Sequence, residues 1–200
     1  MVKVYSDFDV YLESLTIGDA DSIAENANDQ DVARGVGMSH FPHPYSRSDA
    51  LAFIEYATIM FAQGKEAHFG IRLGDGTLVG VLGMNRLDHE NKRCEIGYWI
   101  GKRYWRNGYG RDAVRLLLRF GFESLSLNRI EAIVFAFNDA SKKLLLGLGF
   151  ESEGVMKEYA AEGDAYVDGE LFAMLRRNYK DTAKTVVEGF EPALFGQKQE

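Results

Sequence analysis

The segment from Ile100 to Ala113 reads IGKRYWRNGYGRDA, basic residues and glycines set where a strand-like run gives way to a helical one. The first N–H groups of a helix have no partner within it, and its macrodipole leaves roughly half a positive charge at that end. Gly108 and Gly110 let an anion approach the main chain with no Cβ in the way. Arg106 and Arg111 flank the turn, and each could add a charge-assisted hydrogen bond worth about 1.5–3 kcal/mol. The chemistry this points to is phosphate binding. Gly108-Tyr109-Gly110-Arg111-Asp112-Ala113 also satisfies the dinucleotide pattern G-x-G-x-x-A, with Glu131 near the expected distance beyond it. Its context argues against that use, because Gly101 to Asn107 separate the strand from the first glycine and the preceding strands are joined by short turns. A P-loop is absent, since no Gly-Lys-Ser/Thr follows a glycine at the required gap.

Other reactive side chains are few. Cys94 alternates with Ile96 and Tyr98, which is the pattern of a small core residue more than of an acyl-carrying nucleophile. His40 and His43 are three apart in a Pro-containing loop with no third ligand, and His68 and His89 stand alone. No metal site is expected. Lys and Arg number 23 against 30 Asp and Glu, a net charge of −7, which disfavours non-specific nucleic-acid binding. No apolar run approaches the ~18 residues of a spanning helix, and the N-terminus lacks the apolar core of a signal peptide. With a single cysteine, no internal disulfide framework exists and a cytoplasmic setting is the default.

Two hundred residues, 46% apolar and 26% charged, suffice for one domain with its own core. Val10 to Ile17 reads as a strand and Asp19 to Asn28 as a helix. A loop through Gly35, Gly37 and Phe41–Tyr45 follows, then a helix that Ser46 or Ser48 could cap. Strands 68–73 and 78–84 flank the turn Gly74-Asp75-Gly76-Thr77. Strand 94–100 places Cys94, Ile96, Tyr98 and Ile100 on one face and Glu95, Gly97 and Trp99 on the other. A helix from Gly108 to about Leu125, a strand from Arg129 to Phe135, a helix from Asp139 to Leu148 and strands near 150–159 and 165–175 complete the pattern. The predicted order is βααβββαβαββ, an α/β (α+β) fold with a mostly antiparallel sheet and one parallel element at its centre. The domain is expected over residues 1–180, with 181–200 a tail whose Phe190, Leu194 and Phe195 could dock on it or on a partner.

Glu95-Ile-Gly-Tyr-Trp-Ile100, Tyr104-Trp-Arg-Asn-Gly-Tyr-Gly110, and Asn138-Asp-Ala-Ser141 with Leu148-Gly-Phe150 occur in that order along the chain. In this the sequence resembles the GNAT superfamily of N-acetyltransferases. Within it, the chain is similar to the subgroup holding the ribosomal-protein-alanine N-acetyltransferases, which Pro44-Tyr45, Asp49-Ala50 and Glu153-Gly154 also match. The likeness runs from about Val10 to Tyr179. It implies a GNAT-like sheet with a splay between two parallel central strands, acetyl-coenzyme A as donor and a primary amine as acceptor. It further implies that the pyrophosphate lies on the turn made by Trp105, Arg106, Asn107, Gly108, Tyr109, Gly110 and Arg111. The pantetheine arm would run beside Tyr98, Trp99 and Ile100, with Asn138 near its far end. Trp105 stands where the superfamily usually has Gln or Arg, a departure the subgroup shares.

Amine acetylation requires a neutral amine. Freeing a lysine-type amine of pKa ~10.4 at pH 7 costs roughly 4.6 kcal/mol, against about 1 kcal/mol for an α-amine. Glu95 is the expected base, alone among apolar neighbours on the Gly97–Trp99 face, with a salt bridge to Arg93 as the structural alternative. The tyrosine that many superfamily members carry seven residues after the asparagine is replaced by Leu145. Ser141 is the hydroxyl near enough to serve the departing sulfur, unless it caps the helix beside Asn138 or Asp139. Phe41, His43 and Tyr45, with Glu95, are the expected acceptor contacts. Seven acids between Glu151 and Glu170, against Lys157 alone, form either an attracting rim for a cationic acceptor or a solvated face. Acceptors to weigh are a protein N-terminus, a polyamine, an amino acid or an aminoglycoside, and a homodimer is compatible with the sequence. The competing readings are a non-catalytic acyl-coenzyme A sensor and, behind it, a dinucleotide-binding oxidoreductase.

Overall fold

Local signals set most elements of the computed structural model, which describes residues 1–37, 41–180 and 184–195. In chain order these are β1 (Lys3–Tyr5), β2 (Val10–Ser14), α1 (Ala20–Ala27), α2 (Gln30–Val36), α3 (Arg47–Ala62) and β3 (Ala67–Leu73). They continue with β4 (Leu78–Asp88), β5 (Arg93–Ile100), α4 (Tyr109–Arg119), β6 (Arg129–Phe135), α5 (Asp139–Gly147), β7 (Glu151–Glu162), β8 (Ala165–Leu175) and β9 (Val186–Glu188). Ser46, and not Ser48, caps α3: its hydroxyl accepts from the Asp49 N–H while the Asp49 side chain reaches back. Helix α2 lies where the glycines suggested only loop. The Asp29 carboxylate accepts from the Asp31 and Val32 N–H groups to start it, and Val32 and Ala33 are buried beneath it. The helix expected to run to Leu125 is α-helical only to Arg119. From Phe120 to Ser124 it widens into a π turn, where Gly121 sits tightly against Met84 and Ile130.

The nine strands form one sheet in the order β7-β8-β6-β5-β4-β3-β2-β1-β9. Every pairing is antiparallel except β5 with β6, which run parallel only from Arg93↔Arg129 to Glu95↔Glu131. Beyond Glu95 the two strands part. β5 continues to Ile100 along β4, and β6 continues to Phe135 along β8. Their facing edges enclose a wedge of unpaired main chain, the expected splay.

Alternation then divides the interior. Cys94, Ile96 and the partly buried Tyr98 and Ile100 join α4 and Phe120 in the larger core cluster. Trp99 packs on the other face with α1, α3 and Val81. Two short strands lie outside the predicted set, β1 and β9, which pair through Val4↔Val187. Beyond them Phe195 is buried, with its ring 5.0 Å from Phe61 and 5.5 Å from Phe190. Asp181 itself lies outside the described residues. No helix among the described residues is long and apolar enough to cross a membrane.

Candidate active site

At the end of β5 the chain turns into α4 through Trp105–Gly108. The Trp105 indole N–H donates to the Ile100 carbonyl at 2.7 Å, tying the turn to the strand end. The Asn107 amide donates to the Tyr104 and Trp105 carbonyls at 3.2 Å, which closes the loop on itself. Gly108 caps α4 at φ +84°, a left-handed conformation that strains any side chain, and no side chain caps the first turn. The opening N–H groups beside Tyr109 and Gly110 therefore face outward without a side-chain acceptor. Of the four cations in this stretch, Lys102 reaches Asp31 at 2.7 Å and Arg103 reaches Glu25 at 2.6 Å, so both fasten the turn to the helices beside it. Arg111 touches only its neighbour Asp112, at 3.3 Å, and Arg106 has no carboxylate partner among the described residues. A bare helix end with two available guanidinium groups suits a phosphate-bearing ligand. The topology does not suit a dinucleotide fold, because the strand feeding α4 is a hairpin partner of β4.

Across the wedge, α5 faces β5. The Asn138 side-chain oxygen accepts from the Ser141 N–H at 3.2 Å, so Asn138 is the helix cap and the Ser141 hydroxyl is left for another role. That hydroxyl pairs with the Tyr98 phenol at 2.8 Å. Burial pushes the Tyr98 phenol up to about 12, against a smaller opposing effect of Ser141. The pair is thus uncharged at neutral pH and able to donate a proton or a hydrogen bond.

Glu95 is the last residue of the parallel pairing, at the apex of the wedge. Its carboxylate meets Arg86 at 3.0 Å, whereas Arg93, the partner expected from sequence, bonds Asp88. Burial raises the Glu95 carboxyl above the usual carboxylate range. The Arg86 guanidinium opposes that rise, and Glu131 adds to it. Cys94, on the opposite face, is buried, and burial first and then Glu131 and Glu95 push its thiol far upward. An acyl-cysteine route is closed to it.

The Glu95 face of the sheet carries a cleft of ≈ 370 Å³ between α2, α3 and strands β3 to β5. Phe41 and Tyr45 line it as expected, with Phe41 4.8 Å from Tyr45 and 6.0 Å from Trp99. Burial, then Asp49, pushes the Tyr45 phenol up to about 12, so it too stays neutral. His43 is exposed and does not line the cleft, and His40 lies outside the described residues. Sequence reasoning missed His68, which lines the cleft and bonds Glu66 at 2.7 Å. The available signal was Glu66 and His68 two apart at a strand start, which puts both on one face.

The acids of β7 and β8 are mostly engaged. Glu153 pairs with Arg129, Asp168 with Lys157, Glu170 with Lys142, and Glu162 with Arg34. The solvated, paired face prevails over the attracting rim. Among the described residues no group of three or more His, Cys, Asp or Glu is placed to hold a metal ion.

Residues 9–151 match the family described as acetyltransferase (GNAT) domain. The chain is 32% identical over 169 residues to an uncharacterized N-acetyltransferase, p20, of Bacillus licheniformis, spanning 84% of this chain and 93% of that protein. It is 30% identical over 117 residues to the ribosomal-protein-serine acetyltransferase of Escherichia coli K12, spanning 58% of this chain and 65% of that one. Among solved structures, Mycobacterium smegmatis RimJ in complex with CoA-disulfide aligns with a TM-score of 0.77 at 25% identity, covering 83% of this chain and 81% of that one.

Proposed function

The chain belongs to the GNAT family of acetyl-coenzyme A-dependent acetyltransferases, and we propose that its acceptor is the α-amine of a protein N-terminus. The observation that carries this reading is the cleft lining. It is dominated by Phe41, Tyr45, Phe53, Val81 and Trp99, and Asp49 is the only carboxylate among its lining residues. A polyamine or aminoglycoside brings several cations, each needing an anionic partner when taken out of water. An N-terminal segment brings one amine and an apolar or backbone remainder. The α-amine is also the easier nucleophile to free, and a ribosomal-protein-serine acetyltransferase among the relatives agrees with it.

In this reading the donor pyrophosphate rests on the α4 N-terminus, held by the turn from Trp105 through Arg106, Asn107, Gly108, Tyr109 and Gly110 to Arg111. The unpaired edge of β5 from Tyr98 to Ile100 takes the pantetheine arm through main-chain hydrogen bonds, and Asn138 orders α5 against its far end. The Tyr98–Ser141 hydroxyl pair serves the departing thiolate. Glu95, the base expected from sequence, draws the ammonium group toward the apex of the wedge, paired as it is with Arg86, while Phe41 and Tyr45 hold the residues that follow it. His43, exposed at the rim, meets the chain further out. The transfer is direct, within a complex of both substrates, in a cytoplasmic enzyme whose domain takes in β9 and Phe195 beyond the boundary at residue 180 expected from sequence.

Thiol release from acetyl-coenzyme A, measured over a panel of amines, tests the proposal. Turnover is expected on peptides with a free N-terminus and not on the same peptides with that amine blocked. Turnover confined to spermidine or an aminoglycoside would overturn it.

A further inference from the structure

We propose that His68 is the general base of this site, taking a proton from the acceptor's ammonium group at Nδ1. This role presupposes an amine acceptor in the cleft and adds the residue that activates it. His68 stands opposite Gly83 on β4, and Gly83 stands opposite Gly97 on β5. Residues directly opposed across strands share a face, so the three form one transverse row running from β3 to the wedge. The Nδ1 side of the imidazole lies over Gly83, the middle member of that row. A Cβ built on Gly83 would fall 2.2 Å from Nδ1. At Gly97 a Cβ would meet nothing nearer than the Asn85 amide at 3.5 Å. The two glycines therefore leave an open lane from the imidazole to the free edge of β5, about two strand spacings or ~10 Å between main chains.

The tautomer follows from the other ring nitrogen. Nε2 lies 2.7 Å from the Glu66 carboxylate. Burial pushes the Glu66 carboxyl up, but hydrogen bonds from His68 and Tyr56 outweigh it and bring it below the usual range. An ionised carboxylate can only accept, so Nε2 carries the hydrogen, and in the neutral ring Nδ1 is the nitrogen that offers a lone pair. Among the described residues the His68 ring bonds Glu66 through Nε2, and Nδ1 makes no hydrogen bond. Phe53 packs edge-on to the ring at 5.3 Å and fixes its plane. The titratable groups lining the cleft with His68 are Tyr45, Asp49 and Tyr98; Glu66 and Tyr56 stand behind the ring, and the Glu95–Arg86 pair lies beyond the lining on the same face of β5 and β4.

The protons balance. The ammonium passes one proton to Nδ1, and the neutral nitrogen adds to the thioester carbonyl as the C–S bond breaks. The second proton leaving nitrogen ends on the sulfur through the Tyr98–Ser141 pair or water. The imidazolium returns its proton to solvent.

The test compares pH–rate profiles of wild type, His68→Gln and Glu66→Gln on whichever amine the wild type acetylates, with acetyl-coenzyme A affinity measured by calorimetry. His68→Gln should lower kcat about 10²–10³-fold at pH 7, the range of general-base catalysis, with donor Kd unchanged. Its deficit should shrink as pH rises and the amine becomes neutral by itself. Glu66→Gln should move the acid limb of kcat/KM with a smaller loss, about tenfold, as a positioning residue does. A His68→Gln enzyme with normal donor affinity and a wild-type profile would overturn the assignment, and so would one that loses donor affinity along with turnover. Wild-type turnover on polyamines alone sinks the N-terminal acceptor but leaves this comparison decisive for the base.

Discussion

Strand β5 has a donor side and an acceptor side, built by opposite means. The donor turn consists of consecutive residues, Trp105 to Arg111, and presents main-chain N–H groups with exposed guanidinium groups beside them. The acceptor cleft draws single side chains from α2, the loop before α3, α3 itself, and strands β3, β4 and β5. A phosphate cradle made of backbone tolerates changes in the side chains around it. A cleft made of side chains depends on register, since one shifted strand would turn His68, Gly83 and Gly97 to the other face. Damage to the first region should therefore appear in donor affinity, and damage to the second in turnover.

Gly83→Ala is the sharpest way to break this division. The added Cβ occupies space now held by the His68 imidazole, so the ring must swing away from the lane. Turnover should fall at least about 10²-fold, the value of losing a positioned base. Calorimetric affinity for acetyl-coenzyme A should stay within about twofold, since the N–H groups of α4 are untouched. Equal losses in both quantities would show that the two regions are not separable.

The donor side gives the next largest effect. Gly108→Ala forces an L-residue to φ +84° at the helix start, a strain of about 1–3 kcal/mol. Donor Kd should rise roughly tenfold, a difference of about 1.4 kcal/mol, while kcat at saturating donor holds. Arg106→Ala should weaken donor binding less, about three- to fivefold, because an exposed guanidinium is screened by water and salt. The loss should shrink further in raised salt, where the wild-type affinity itself declines. An affinity indifferent to Arg106 would assign the anion to backbone and Arg111 alone.

The same contrast explains what could be read from sequence. The turn at Arg106–Arg111, a serine cap at Ser46 or Ser48 and the alternation of β5 are short-range signals, and each appears in the fold, the cap at Ser46. Helix α2 escaped because its seven residues end between Gly35 and Gly37 and are too few to display a helical period. Strands β1 and β9 are three residues each; β1 pairs with β2, and β9 exists by pairing with β1 across the length of the chain. His68 looked solitary for the same reason. Its partner Glu66 precedes the strand, and the glycine beneath its ring lies fifteen positions away on β4. The cap at Asn138 shows the converse: Ser141 had two local readings, and only the Tyr98 hydroxyl, brought from another strand, decides what its side chain does.

Glu95 stands where the two regions meet, and the smallest predicted effect concerns its stability. Its carboxyl is raised in the folded protein, mainly by burial, so the fold holds that proton more tightly than the unfolded chain does. The associated stabilisation is complete below the unfolded pKa and disappears as pH rises through the folded one. At neutral pH the ionised Glu95 therefore weighs against folding, partly relieved by the well-exposed Arg86. Glu95→Gln should raise Tm slightly at pH 7, and the difference from wild type should close as pH falls through the carboxylate range. The same variant should raise KM for the acceptor several-fold with donor Kd unchanged, because the charge that draws the ammonium is gone. Gain in Tm with loss in KM would mark Glu95 as a carboxylate kept at the apex for substrate despite its cost to folding. A variant less stable at pH 7 would instead make the Arg86 ion pair its reason for being there.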